Sequence, residues 1–186
     1  MSHVVLDGAG VLQHVHSMGE GTSGEPLKMV VYNHIDADVD LGVIFTHSDR
    51  HIVSNNNSFY YLLKTPPSPI HVELISFSVT ANGGPVFCEI YEDAIVSANG
   101  TLEGFLNNNR QLNIASSCLL YESPTVTDEG LLLITSETGG EKGKGGIQAG
   151  TDQRWVFDFS SNYLIKLENK SGATVDLAVT IVVGED

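Results

Sequence analysis

A chain of 186 residues lies between one average domain and two, so a single compact domain with a full hydrophobic core is expected. Hydrophobic residues make up 41% and charged residues 17%, and no apolar run nears the roughly 20 residues of a helical membrane span, so a soluble chain without a membrane partner is expected. Nine Lys and Arg against 23 Asp and Glu give a formal charge of −14, which repels nucleic-acid phosphate and argues against DNA or RNA as partner.

Residues 1–26 carry Gly8, Gly10, Gly19, Gly21 and Gly24 and sustain neither a helical nor a strand period. They predict an irregular N-terminal arm ahead of one β-domain over 27–186. Residues 1–7 hold no basic leader, so no secretory signal is expected and the chain is expected to stay in the cytoplasm that makes it. Within the arm, Gly8, His14, His16 and Glu20 match the spacing Gly-x5-His-x-His-x3-Glu of the first cupin motif, where two alternating imidazoles and a carboxylate take a divalent transition metal. Leu27 stands where the closing glycine belongs and no Pro-x-Gly-x-x-His follows, so coincidence is the plainer reading. All seven histidines fall in the first 71 residues, where full protonation would swing the charge from −4 to +3. Scattered surface histidines are expected there, with a pH-responsive contact surface as the sharper alternative.

Beyond the arm, runs rich in Val, Ile, Tyr, Phe and Thr, each bounded by Gly, Pro, Asn or Asp, predict ten strands: 28–35, 39–46, 59–64, 70–80, 85–92, 118–121, 131–135, 154–159, 163–169 and 174–183. Asp36, Asp38 and Asp40 would share one strand face about 7 Å apart, a solvated polar face or at most a loose divalent site. In 70–80, Val72, Leu74, Ser76 and Ser78 should face one way, and His71, Glu73, Ile75, Phe77 and Val79 the other. Glu89 and Tyr91 share a face while Glu92 and Asp93 end their run, and nothing marks a glycosidase pair among them. Cys88 and Cys118 have neither zinc spacing nor a catalytic setting and should be small buried residues. Residues 139–150 are half glycine and hold Lys142 and Lys144. Gly139 to Lys144 is one residue short of a phosphate-binding loop and no helix follows, so a surface loop is expected, with its two lysines as candidate partner contacts. Trp155, Phe157 and Phe159 alternate, and Ser160-Ser161-Asn162 offers a turn into 163–169, which predicts a hairpin. So many short strands must hide their edges, and a jelly-roll-like antiparallel sandwich does this within the length available.

From Ile75 onward a series of phrases runs in order: Phe77-Ser78-Val79-Thr80-Ala81 with Gly84-Pro85-Val86, Ile90-Tyr91-Glu92, Val96-Ser97-Ala98-Asn99-Gly100-Thr101, and Asn107-Asn108-Asn109-Arg110. Pro124-Thr125-Val126-Thr127-Asp128-Glu129-Gly130 follows, then the Gly-Lys loop, Trp155, and Tyr163-Leu164-Ile165-Lys166-Leu167-Glu168-Asn169-Lys170-Ser171-Gly172. Over roughly the last 60% of its length the chain thereby resembles the small β-rich head decoration, or capsid-stabilising cement, proteins of tailed bacteriophages. The resemblance implies a non-enzymatic virion protein on the capsid surface, assembled in the bacterial host cytoplasm. It implies the major capsid protein as partner, a dimer or trimer of this chain, and no cofactor, metal or catalytic residue. One alternative is a tail or fibre component that binds host glycans. A second is a cupin-like metalloenzyme built on His14, His16 and Glu20.

Overall fold

The computed structural model describes residues 2–6, 12–17, 29–31, 34–138 and 155–186. Its elements in chain order are β1 (Ser2–Leu6), β2 (Leu12–Ser17), β3 (Met29–Val31), α1 (His34–Leu41), β4 (Ile44–Val53), β5 (Ser58–Lys64), β6 (Val72–Ala81), β7 (Val86–Glu92), β8 (Ile95–Ala98), β9 (Thr101–Glu103), β10 (Leu106–Asn107), β11 (Leu119–Glu122), β12 (Thr125–Asp128), β13 (Leu131–Thr138), β14 (Trp155–Phe157), β15 (Asn162–Asn169) and β16 (Val175–Glu185). The described chain is all-β apart from α1. An antiparallel five-stranded sheet in order β10-β4-β16-β6-β14 packs as a sandwich on a six-stranded one in order β13-β7-β15-β5-β11-β9. Strands β8 and β12 form a separate pair, as do β1, β2 and β3 in a three-stranded sheet.

The two large sheets meet because alternate residues of each are apolar. Leu177, Val179, Ile181 and Val183 of β16 and Phe77 and Val79 of β6 share one buried cluster with Tyr61 and Leu63 of β5, Ile90 of β7, and Ile165 and Leu167 of β15. Full burial of a Val, Leu, Ile or Phe side chain contributes roughly 1.5–3 kcal/mol, which makes this interior the main source of stability.

Four local features differ from what alternation predicts. Residues 34–41 form a helix that takes the end of the expected strand 28–35 and the start of the expected strand 39–46. Asp36 in the first turn complements the helix dipole, and Gly42 at φ 74° ends it, with its N–H on Val39 O and the Val43 N–H on Asp38 O. Asp36 and Asp40 therefore stand one helical turn apart with Asp38 on another face, and the three-carboxylate strand face is not formed. In β6, Val182 lies opposite Ser76 and Val183 opposite Leu74, so Ile75 is the extra residue of a β-bulge. The bulge reverses the alternation, and Val72, Leu74, Phe77 and Val79 all enter the core. The hairpin expected from 154–159 into 163–169 is absent: β14 pairs with β6 in one sheet and β15 lies between β7 and β5 in the other. Residues 158–161 carry the chain across, held by Thr65, whose hydroxyl donates to Asp158 O at 2.7 Å and accepts from the Ser161 N–H at 2.9 Å. Finally, residues 2–6 and 12–17 are not irregular but paired strands, with Leu6 opposite Leu12. Their runs are too short to dominate a glycine-rich window.

The structure also shows a duplication. Tyr91-Glu92-Asp93-Ala94 with Gly100 matches Tyr121-Glu122-Ser123-Pro124 with Gly130, at a constant offset of 30 residues. Asp93 (φ 59°) and Ser123 (φ 54°) are both left-handed, as are Gly100 (φ 91°) and Gly130 (φ 87°). The two copies interlock: a Cβ on Gly100 would collide with the backbone of Glu122 and Ser123, and one on Gly130 with that of Glu92 and Asp93. Strands β8 and β12, one from each copy, pair with each other between these contacts. Both left-handed φ and a backbone collision oppose a side chain here, so Gly100→Ala and Gly130→Ala should each destabilise the fold by more than about 2 kcal/mol, read by urea denaturation. Gly172→Ala, at φ 84° with open space around it, should cost about 1 kcal/mol.

Candidate functional site

The outer face of the six-stranded sheet carries an apolar row that crosses every strand. Leu132, Tyr91, Leu164, Leu62, Tyr121 and Leu102 follow one another as direct cross-strand partners from β13 to β9. Its middle is closed: Leu164 and Leu62 are fully buried, and Tyr91, Ala94 and Leu164 cluster with Tyr60 and with Val126 of β12. The ends are open, with Leu132 45% exposed beside Leu131, and Leu102 58% exposed near Leu119. Five strand spacings separate these ends, roughly 24 Å.

A partly buried cation helps to hold β12 over the row. Lys166 of β15 reaches Glu89 of β7 at 3.3 Å and Glu129, just after β12, at 3.1 Å, with its ammonium 5.9 Å from the centre of the Tyr91 ring. Tyr91 donates to Glu89 at 2.8 Å, and Tyr60 to Glu129 at 3.4 Å. Burial pulls the Lys166 ammonium down, but the hydrogen bond and charge of Glu129, with Tyr91 and Glu89 behind it, outweigh burial and leave it above the ordinary lysine value.

Facing the inner side of this sheet, His47, Asp49 and His51 alternate along β4 of the five-stranded sheet toward β5. His51 has an 11% exposed side chain and stacks on Phe59, with ring centroids 3.8 Å apart. Its Nε2 lies 2.7 Å from the Tyr61 hydroxyl and 3.3 Å from Asp49 Oδ2, and its Nδ1 lies 3.8 Å from Glu122 Oε1. Burial, then the charges of Asp49, Glu122 and Glu103, push the Tyr61 phenol above its ordinary range, so it keeps its proton. His47 is buried, with Nδ1 3.1 Å from Gly104 O and its ring edge against Tyr61 and Phe105.

His14 and His16 hold alternate positions of β2, while Glu20, Lys142 and Lys144 lie outside the described residues. Cys88 and Cys118 are buried and free, as expected. Burial and then Glu89 push the Cys88 thiol up to about 12, which removes it as a nucleophile, and burial followed by Glu185 pushes Cys118 up as well. Glu89 is engaged by Lys166, and Glu92 accepts from the Tyr163 hydroxyl at 2.6 Å, so neither stands ready as an acid or base. His51 is no scattered surface histidine, and the His-x-Asp-x-His alternation of β4 was the only local sign of its setting. A pocket of about 110 Å³ lined by Glu73, Ile75 and Glu185 falls short of the several hundred Å³ typical of small-molecule sites. No helix among the described residues is long and apolar enough to cross a membrane. No protein-family model, curated protein or solved structure matches the chain.

Because the folded pKa of Lys166 is raised, its stabilisation is complete below the unfolded value of about 10.4 and is lost as pH rises through the folded value. Lys166→Met should cost about 2 kcal/mol at pH 7, by leaving Glu89 and Glu129 facing each other without a cation. Denaturation profiles should show that the variant also loses part of the wild-type decline in stability above about pH 10.

Proposed function

We propose that this chain is a non-enzymatic structural protein of a phage virion, a capsid decoration protein that binds the mature head shell and ties neighbouring copies of the major capsid protein together. The apolar row open at both ends carries this reading. A single apolar point can only cap a partner, whereas two points on opposite edges of one stiff sheet can bridge adjacent subunits. The phrases that resemble the decoration family support it by their position: Ile90-Tyr91-Glu92 ends β7, Pro124 to Gly130 spans β12, and Tyr163 to Asn169 lies within β15, all parts of the face that holds the row. We read the sandwich as jelly-roll-like and the working unit as a dimer or trimer on a capsid symmetry axis. Binding to the expanded lattice and not to its precursor would stabilise the mature shell by mass action, and the lattice would reinforce each weak contact through effective concentration.

The decisive measurement is the copy number in purified virions of the phage that encodes the chain, by quantitative mass spectrometry against the major capsid protein. Hundreds of copies are expected. A handful would move the protein to the vertex or tail and favour host-glycan binding, and complete absence would overturn a virion role. On heads, Leu102→Asp and Leu132→Asp should each lower occupancy about tenfold, since a charge replaces an apolar anchor at an interface core. Retained occupancy in the double variant would show that the row is not the contact.

A further inference from the structure

We propose that Asp49, His51 and Glu122 form a binding site for a divalent transition-metal ion of the zinc type, placed between the two sheets. The three side chains each present one ligand atom within 4.8 Å of the other two. They come from both layers: Asp49 and His51 alternate on β4 of the five-stranded sheet, and Glu122 ends β11 of the six-stranded one, opposite Tyr61. The ion would therefore join the layers where β4 faces β5 and β11.

The imidazole is already oriented. Phe59 stacks on its ring, the Tyr61 hydroxyl and Asp49 Oδ2 lie 2.7 and 3.3 Å from Nε2, and Nδ1, 3.8 Å from Glu122 Oε1, is the nitrogen left for the ion. When Nδ1 ligates, Nε2–H donates to the Tyr61 oxygen, the kind of outer hydrogen bond that fixes the orientation of metal-bound imidazoles. One imidazole with two carboxylates suits zinc and its neighbours, with water in the remaining positions.

The repeated strand end provides an internal comparison. Glu92 occupies in the first copy the place of Glu122 in the second, and each lies opposite a β-strand tyrosine, Tyr163 or Tyr61. Tyr163 gives its hydroxyl to Glu92 at 2.6 Å. The Tyr61 hydroxyl is instead hydrogen-bonded to His51 Nε2, so Glu122 has no such donor and faces the ring at 3.8 Å. No lysine or arginine among the described residues forms an ion pair with Asp49 or Glu122, since Arg50 is engaged by Asp176. Two carboxylates with Glu103 nearby therefore leave an uncompensated negative charge against an imidazole, the setting a dication neutralises.

The test is calorimetric titration of metal-stripped full-length protein with Zn²⁺, with circular dichroism to verify the fold of each variant. One equivalent is expected to bind in the wild type, in Glu92→Gln and in the His14→Ala/His16→Ala double variant. Binding should be lost in His51→Ala and weakened at least tenfold in Glu122→Gln. Tyr61→Phe, which keeps the ring and removes the hydroxyl, should weaken it about 10- to 100-fold. Absence of wild-type binding at 100-fold excess of Zn²⁺ would overturn the site, as would full binding in Glu122→Gln or loss of binding in the His14→Ala/His16→Ala variant alone. Should His51→Ala fail to fold, Glu122→Gln and Tyr61→Phe decide between these outcomes.

Discussion

The carbonyl oxygens of Glu92 and Glu122 lie where side chains on Gly130 and Gly100 would have to go, and much of the molecule outside its core follows from that reciprocal contact. Each glycine must be left-handed and bare for the other copy's strand end to pass beside it. With both in place, β8 and β12 meet as a pair, and Val126 packs on Tyr91, Ala94 and Leu164. The same contact thus closes the middle of the outer apolar row, leaves its ends exposed, and sets Glu122 at the end of β11. A duplicated turn has become a clasp, and the exposed leucines are what the clasp does not reach.

Duplication confers two equivalent strand ends, and the five-stranded sheet makes them unequal. Near Glu92, residues 157–163 cross between the layers, so Phe157 stacks on Tyr163 and the Tyr163 hydroxyl is shared between the Asp158 N–H and Glu92. Near Glu122, β4 passes instead and presents Asp49 and His51, and Tyr61 turns its hydroxyl to the imidazole. Similar local sequence thus yields a satisfied carboxylate at one end and an open one at the other, because the facing layer differs. Function read from one copy alone would miss this.

The all-β sandwich was legible because alternation is a local property, and β7 and β16 display it plainly. What alternation cannot encode is phase or pairing. Residues 72–81 are apolar in both phases, so only the bulge at Ile75 decides which side chains enter the core. Asp36-Ala37-Asp38-Val39-Asp40-Leu41 mimics a strand period, yet it lies in a helix closed by Gly42. The turn at Ser160-Ser161-Asn162 serves a hairpin and a crossing between layers equally well, and Thr65, far away in sequence, holds the crossing. The paired Tyr-Glu and Gly signatures at a 30-residue offset were present in the sequence, whereas Asp49, His51 and Glu122 become neighbours only through the sheet order.

Exposed leucines on an isolated domain invite self-association, and the charge of −14 opposes it. Two free copies that approach through their apolar ends must bring like charges together, and each end alone offers only two or three side chains. A repeating lattice changes the balance, because it supplies partner sites at fixed spacing and lets both ends engage at once. The second contact then forms at an effective concentration set by the lattice rather than by the solution. On the proposed reading, weak ends roughly 24 Å apart, rigidly joined and strongly charged overall, would favour assembly on a repeating surface over aggregation in solution.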